Sequence, residues 1–298
     1  MHARFSDFIL LFILSVLWGS SYVAVKLVLV DLEPLSLATI RIIISAVMLI
    51  IYMKFLGEKL PTDLKSWQTL TIVGLGGMAL PFFLIGWGLT EMPSGQAGVI
   101  IAATPIMTLA LSHFMISDHK VTKKQSLGML LGFSGVFILM GGFSVFEINS
   151  SNIAKFAIVL AAFGYAYTAV RLHELNHLSP TVGATGLTIV SAVIMFIFSL
   201  FNTPIWQVSM NMDSILIMLY LAVFSTVIGT IIMTKLIFRA GPYFMSLNNF
   251  LVPVVAIILG VLLLSETISK DLALSSVLIL LGVGLAAPKK PSSKLKRL

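Results

Sequence analysis

The stretch His173-Glu174-Leu175-Asn176-His177 has the spacing most suggestive of chemistry in this chain. On a helix, histidines four residues apart face one metal ion and the glutamate between them serves as a base, as in metalloproteases. The segment reads instead as a short link between helices, and no third ligand follows it in a suitable context. No catalytic residue, metal or cofactor is therefore expected. The absence of cysteine removes disulfides, thiolate nucleophiles and Cys-based zinc or iron–sulfur sites as well. What remains is binding chemistry. Trp18, Ser21, Tyr22, Phe163, Tyr165 and Tyr167 offer ring faces and hydroxyls suited to a partly polar solute. Thr104 beside Pro105, and Asn248 and Asn249 one turn before Pro253, combine polar side chains with prolines that open a backbone ladder. The first group has an ordinary alternative as helix packing, and the second as static kinks.

Charge adds one more candidate. Arg41 lies about 9 Å along the helix axis from Leu35, at ~1.5 Å per residue, which makes it the most deeply placed cation. It either pairs structurally with Glu33 or Glu91, or attracts a solute carboxylate. Lys26 and Lys235 lie near helix ends, where a long side chain snorkels to the interface. Asp118 and Glu266 are expected to cap the helices that follow them, because a carboxylate there meets unpaired N–H groups.

The elements that must position these residues are long and apolar. Of the 298 residues, 58% are hydrophobic and 10% charged, and mean hydropathy is +1.05. Soluble chains run nearer ~25% charged, so a soluble globule, a disordered chain and a nucleic-acid module are excluded. The net charge of +7 resides in loops and a tail, not in a patch interleaved with aromatics. Uncharged runs predict ten transmembrane helices: Phe8–Leu29, Leu35–Phe55, Trp67–Thr90, Ser94–Ile116, Gln125–Phe143, Ile153–Val170, Thr181–Phe201, Ser214–Phe238, Tyr243–Leu264 and Leu272–Ala287. With the N-terminus cytoplasmic, every Lys and Arg in the loops or beside the span ends faces inward except Lys155 and Lys270, leaving Lys26, Arg41 and Lys235 within spans. Both termini are thus expected in the cytoplasm, on a multi-pass protein of the inner or plasma membrane.

The chain is written twice. Residues 17–26 match residues 162–171, with Gly19/Gly164, Tyr22/Tyr167, Ala24/Ala169 and Val25/Val170 identical and Lys26/Arg171 keeping their charge. Pro34 matches Pro180, and Pro105 and Pro253 each stand thirteen residues before Asp118 and Glu266. Five spans per half is an odd number, so the second copy enters the membrane upside down. Inverted repeats of this kind mark transporters that bind solute near the midplane. The divisions are residues 8–143, residues 153–287 and a basic cytoplasmic tail, residues 288–298.

Trp18-Gly19-Ser20-Ser21 followed by Lys26, Arg41 in the second span, and Phe250-Leu251-Val252-Pro253 running to Glu266 together resemble the EamA-type carriers of the drug/metabolite transporter superfamily. The resemblance covers nearly the whole chain and departs at Asp118, where the second half has Glu266. It implies an all-α integral membrane fold of two inverted five-helix repeats around a central cavity. It also implies export of an amino acid, drug or other small metabolite. The expected partners are a small-molecule substrate and the lipid bilayer, with no nucleic acid. Gly128, Gly132 and Gly135 form a small face on span five that packs within the bundle or supports a homodimer. Rival readings are a lipid flippase and an intramembrane metalloprotease built on His173 and His177.

Overall fold

The computed structural model describes residues 4–115, 122–147, 149–175, 177–202, 204–240, 242–245 and 247–286. Regular structure among them is helical throughout. Helix α1 is Phe5–Val28, α2 Pro34–Phe55, α3 Leu64–Glu91 and α4 Ser94–Met115. The second half begins after α5, Lys123–Leu139, with α6 Ser150–Arg171 and α7 Pro180–Phe201. Helix α8 joins Met212–Leu219, Tyr220–Ile228 and Gly229–Ala240, α9 is Asn248–Leu264, and α10 is Lys270–Ala286. Seven helices among the described residues are long and apolar enough to cross a bilayer: α1 to α4, α6, α7 and the Met212–Met233 stretch of α8. Helix α9 is apolar and shorter, and α5 and α10 have 17 residues each.

Local chemistry starts these helices where the sequence changes character. Asp63, Ser179 and Asn211 accept the backbone N–H of Ser66, Val182 and Ser214, and Thr122 exchanges bonds with Gln125 in a capping box. Pro34 and Pro180 sit in first turns, where a missing N–H costs nothing. Gly141 and Gly142 adopt φ of +100° and +59°, which turns the chain out of α5 before the expected end at Phe143. The asparagine-rich end of span nine also differs from expectation. Pro242–Met245 forms a separate turn, and α9 starts only at Asn248.

The distribution of polarity is that of a protein dissolved in lipid. Large apolar side chains such as Phe12, Ile51, Phe163, Phe198 and Leu262 face outward. Hydroxyls such as Ser15, Ser45, Thr188, Ser191 and Ser225 are buried between helices. With no water at that depth, such groups must bond inside the bundle. They do so in matched pairs. Thr39 of α2 donates to Met195 O of α7 at 3.4 Å, and Thr185 of α7 donates to Leu49 O of α2 at 3.5 Å. Ser45 of α2 donates to Ala222 O of α8 at 3.1 Å, and Ser191 of α7 donates to Gly74 O of α3 at 2.9 Å. Each pair is exchanged by moving one repeat along the sequence, and the first pair makes α2 and α7 antiparallel.

Matched helices also carry matched irregularities. A π-helical stretch interrupts α3 at Leu75–Ala79 and α8 at Tyr220–Ile228. Helices α5 and α10 lie so close that a Cβ on Gly128 would stand 2.6 Å from Gly282 O. That small face is used inside the bundle, as helix approach through glycine allows. The two prolines do not behave alike. Helix α4 breaks at Ala102–Ala103 and restarts at Thr104, so Pro105 occupies a first turn, whereas Pro253 lies inside α9. The expectation of equivalent kinks is corrected accordingly: one is a helix start and the other a true internal proline. Asp118, Asn176 and the tail at 288–298 lie outside the described residues.

Candidate functional site

Arg41 projects from α2 across the boundary between the halves. Its Nε donates to Thr226 Oγ1 at 3.0 Å and its Nη2 to Ser225 Oγ at 3.2 Å, both on the π-helical stretch of α8. The guanidinium lies over the Phe82 ring of α3, 4.3 Å from the centroid. These contacts replace the expected pairing with Glu33 or Glu91. The reason is geometric: a π stretch offers two successive hydroxyls to a helix that packs against it, whereas the acids sit at helix ends. Arg41 is 8% exposed, and Tyr22, Tyr165 and Tyr220 all lie within electrostatic reach of its charge.

The other sequence candidates separate into two groups. Tyr22 is 8% exposed on α1 and Tyr165 is half-buried on α6, so one tyrosine from each half lies within electrostatic reach of Arg41. Tyr167, the repeat partner of Tyr22, is half-buried two residues further on, and a two-residue step turns it to another helix face. Trp18 donates its indole N–H to Ser225 O at 3.1 Å, seated against Gly229, so it braces the same stretch that holds Arg41. The remaining polar candidates spend their groups on the backbone or on neighbouring helices. Ser21 bonds Trp18 O and Thr104 bonds Ile101 O, both at 2.6 Å. Asn248 is buried and lies 2.9 Å from the Ser15 hydroxyl, tying α9 to α1. Asn249 is half-buried, and Pro253 is buried behind Gly98. Phe163 is 45% exposed and points away from the interior.

Several participants were not singled out from sequence. Ser20 and Tyr220 join α1 to α8 through a 2.6 Å hydroxyl contact. Ser225 and Thr226 are adjacent hydroxyls in an otherwise apolar span, a signal that could have drawn attention to them.

At the outer rim, as the spans were oriented, Lys26 does more than snorkel. Its ammonium donates to Glu266 Oε1 at 3.1 Å and to Met92 O at 2.9 Å. Glu266 also accepts from Ser94 N at 2.7 Å, Ser94 Oγ at 2.8 Å and Gly95 N at 3.3 Å. It therefore caps α4 in the other half, not α10, the helix that follows it. Burial pushes this carboxyl upward, but the bonds from Ser94, Lys26 and Gly95 outweigh burial and hold it below the usual carboxylate range. Gly260 leaves the space: a Cβ there would collide with Glu266 Oε2. The link after α6 also makes polar contacts. Arg171 pairs with Glu174 at 2.8 Å, and Ser66 of α3 lies 2.9 Å from His177 Nε2. Among the described residues no cluster of three His, Cys, Asp or Glu could hold a metal, and the His173 side chain lies outside them.

The profile of the EamA-like transporter family matches residues 6–141 and 152–287, two copies end to end. The chain belongs to that family. It is similar to a probable amino-acid metabolite efflux pump of Salmonella typhimurium, 29% identical over 93% of each chain. It is also similar to the uncharacterized inner membrane transporter YedA of Escherichia coli K12, 25% identical over 87% of this chain and 83% of that one. A crystal structure 19% identical in sequence shares the fold, with a TM-score of 0.68 over 95% of this chain and 97% of the other. This EamA chain is thus a multi-pass membrane transporter, and Arg41 lies where its two repeats meet.

Proposed function

We propose that the chain is a secondary carrier of a small organic metabolite, an amino acid or drug-like solute, working by alternating access in the cell membrane. In this reading α1 to α10 are ten crossings, the two five-helix repeats are inverted, and both termini are cytoplasmic. The observation that carries the proposal is a charged, aromatic-flanked group held at the seam of the repeats by residues from both. A cation at mid-membrane costs about 2.5–3.5 kcal/mol on insertion scales, which function must justify. The matched hydroxyl pairs of α2, α3, α7 and α8 support the paired-repeat part of this reading, because equivalent residues of the two repeats make equivalent contacts across the seam. No covalent chemistry and no cofactor enter the proposal. Export is taken from the name of the Salmonella relative. The described Asp and Glu residues sit at helix ends or links, which favours facilitated diffusion or exchange over tight proton coupling.

The test is comparison of metabolites released by cells with and without the protein, then counterflow of the enriched solutes in proteoliposomes. Saturable uptake accelerated by solute loaded on the far side is expected. Flux no faster than in protein-free liposomes for every enriched solute would contradict the carrier reading.

One observation favours a lipid substrate instead. A groove of about 320 Å³ opens on the lipid-facing side between α1, α8 and α9, lined by apolar residues such as Val23, Leu27, Leu216 and Leu263, with Ser20 and Tyr220 also in its lining. Scrambling of labelled phospholipid in the same liposomes, absent without protein, would support that reading.

A further inference from the structure

We infer that the carried solute is a net-anionic carboxylate with an apolar or aromatic body, anchored end-on at Arg41 between the hydroxyls of Tyr22 and Tyr165. The inference rests on the carrier reading and narrows its substrate. A guanidinium presents five N–H donors in a planar fork. Thr226 and Ser225 occupy the side edge formed by Nε and Nη2. The end edge, formed by Nη1 and the second hydrogen of Nη2, donates to no protein atom among the described residues. Nη1 is also absent from the fully buried atoms that lack partners, so it keeps some exposed surface. Two parallel N–H groups on a cation form the geometry that accepts both oxygens of one carboxylate.

The surroundings supply further donors but no counter-charge. The hydroxyls of Tyr22 and Tyr165 likewise have no hydrogen-bond partner among the described residues and keep some exposed surface. Both tyrosines lie within electrostatic reach of Arg41, and they come from α1 and α6, one per repeat. The groups that do hold Arg41 are neutral hydroxyls and a ring face, which leave its charge uncancelled. No described Asp or Glu approaches it as an ion pair. A zwitterion would leave the occupied site with a net positive charge. A monoanion brings it to zero, which is worth most in a low-dielectric interior. Phe82 beneath the guanidinium, with Trp18 and Tyr220 nearby, provides the apolar wall for the rest of the solute.

The experiment compares four solutes on one body in proteoliposomes: N-acetylphenylalanine, phenylalanine, phenylalaninamide and N-acetylphenylalaninamide, with a leucine set beside it. Wild type is expected to move the N-acetyl acid about ten-fold faster than the zwitterion, cation or neutral amide, the equivalent of one strong charged hydrogen bond. Arg41→Gln should erase that preference, so that the N-acetyl acid moves no faster than the zwitterion. Tyr165→Phe should lower the ratio of anion flux to neutral-amide flux. Arg41→Lys keeps the charge but loses the fork, so the preference should shrink without vanishing, which covers failure of the glutamine variant to assemble. Equal flux of acid and zwitterion, or an anion preference that survives Arg41→Gln, would overturn the inference and leave the carrier reading standing. Flux of all four at the protein-free rate, together with no counterflow of any solute enriched in cells, would remove both.

Discussion

Trp18 and Arg41 hold the same turn of α8 from different helices, one through Ser225 O and the other through Ser225 Oγ and Thr226 Oγ1. Replacing Trp18 by Ala should therefore cut flux by loosening that turn, and replacing Tyr22 by Ala should cut it by removing a wall of the site. Both variants should still insert, and normal flux in both would remove these residues from the site. Trp18→Phe separates the indole hydrogen bond to Ser225 O from ring packing against Gly229. It keeps the ring and loses one hydrogen bond, at a cost of about 1 kcal/mol, so a melting point slightly lowered with flux retained is expected. Tyr22, Arg41 and Tyr165 were legible in the sequence because rings and a cation are conspicuous inside apolar spans. Ser20, Ser225 and Thr226 were not, because a serine or threonine hydroxyl in a helix can always bond its own backbone. Ser21 and Thr104 do so, and Thr226 bonds both Arg41 and Leu221 O. Only the packing of α8 against α1 and α2 tells these cases apart.

Among the elements, the outer rim carries the sharpest expectation. Glu266 joins α1, α4 and the α9–α10 link through four donors, and its carboxyl is held below the usual range. A depressed folded-state value means the ionised form stabilises the fold. That contribution is fully present above the unfolded value, about 4.3 for glutamate, and is lost as pH falls through the lower folded value. Melting in detergent should therefore decline as pH drops below ~4 in the wild type. Glu266→Gln should melt lower at neutral pH, by an amount of order 1–3 kcal/mol for the lost charged bonds, and should show a weaker acid decline. An unchanged acid profile would place the sensitivity elsewhere. Helix positions were readable from hydropathy and capping residues, whereas the π stretches at Leu75–Ala79 and Tyr220–Ile228 were not, since they arise from contacts with α7 and α2 and not from local propensity. Pro105 illustrates the converse: its sequence spacing matches Pro253, yet one starts a helix and the other lies inside one.

For the whole molecule, the repeat was visible in the sequence as Gly19/Gly164 and Pro34/Pro180, and two matched copies of one family profile now cover the chain. What the sequence could not display is the interlocking of the copies. Thr39 and Thr185, and Ser45 and Ser191, occupy equivalent positions and make exchanged bonds, which requires the halves to face each other about a two-fold relation. Arg41 breaks that symmetry, because its equivalent in α7 is Leu187. In the proposed carrier, a near-symmetric frame would hold a one-sided binding group. Because the chain has no cysteine, single-cysteine variants report topology without background. The most direct test labels Ser6→Cys at the start of the first repeat and Ser150→Cys at the start of the second with an impermeant maleimide on intact cells. Ser150→Cys should react from outside and Ser6→Cys only after permeabilisation. Reaction of both from the same face would mean that the repeats run parallel, and the inverted carrier would be contradicted.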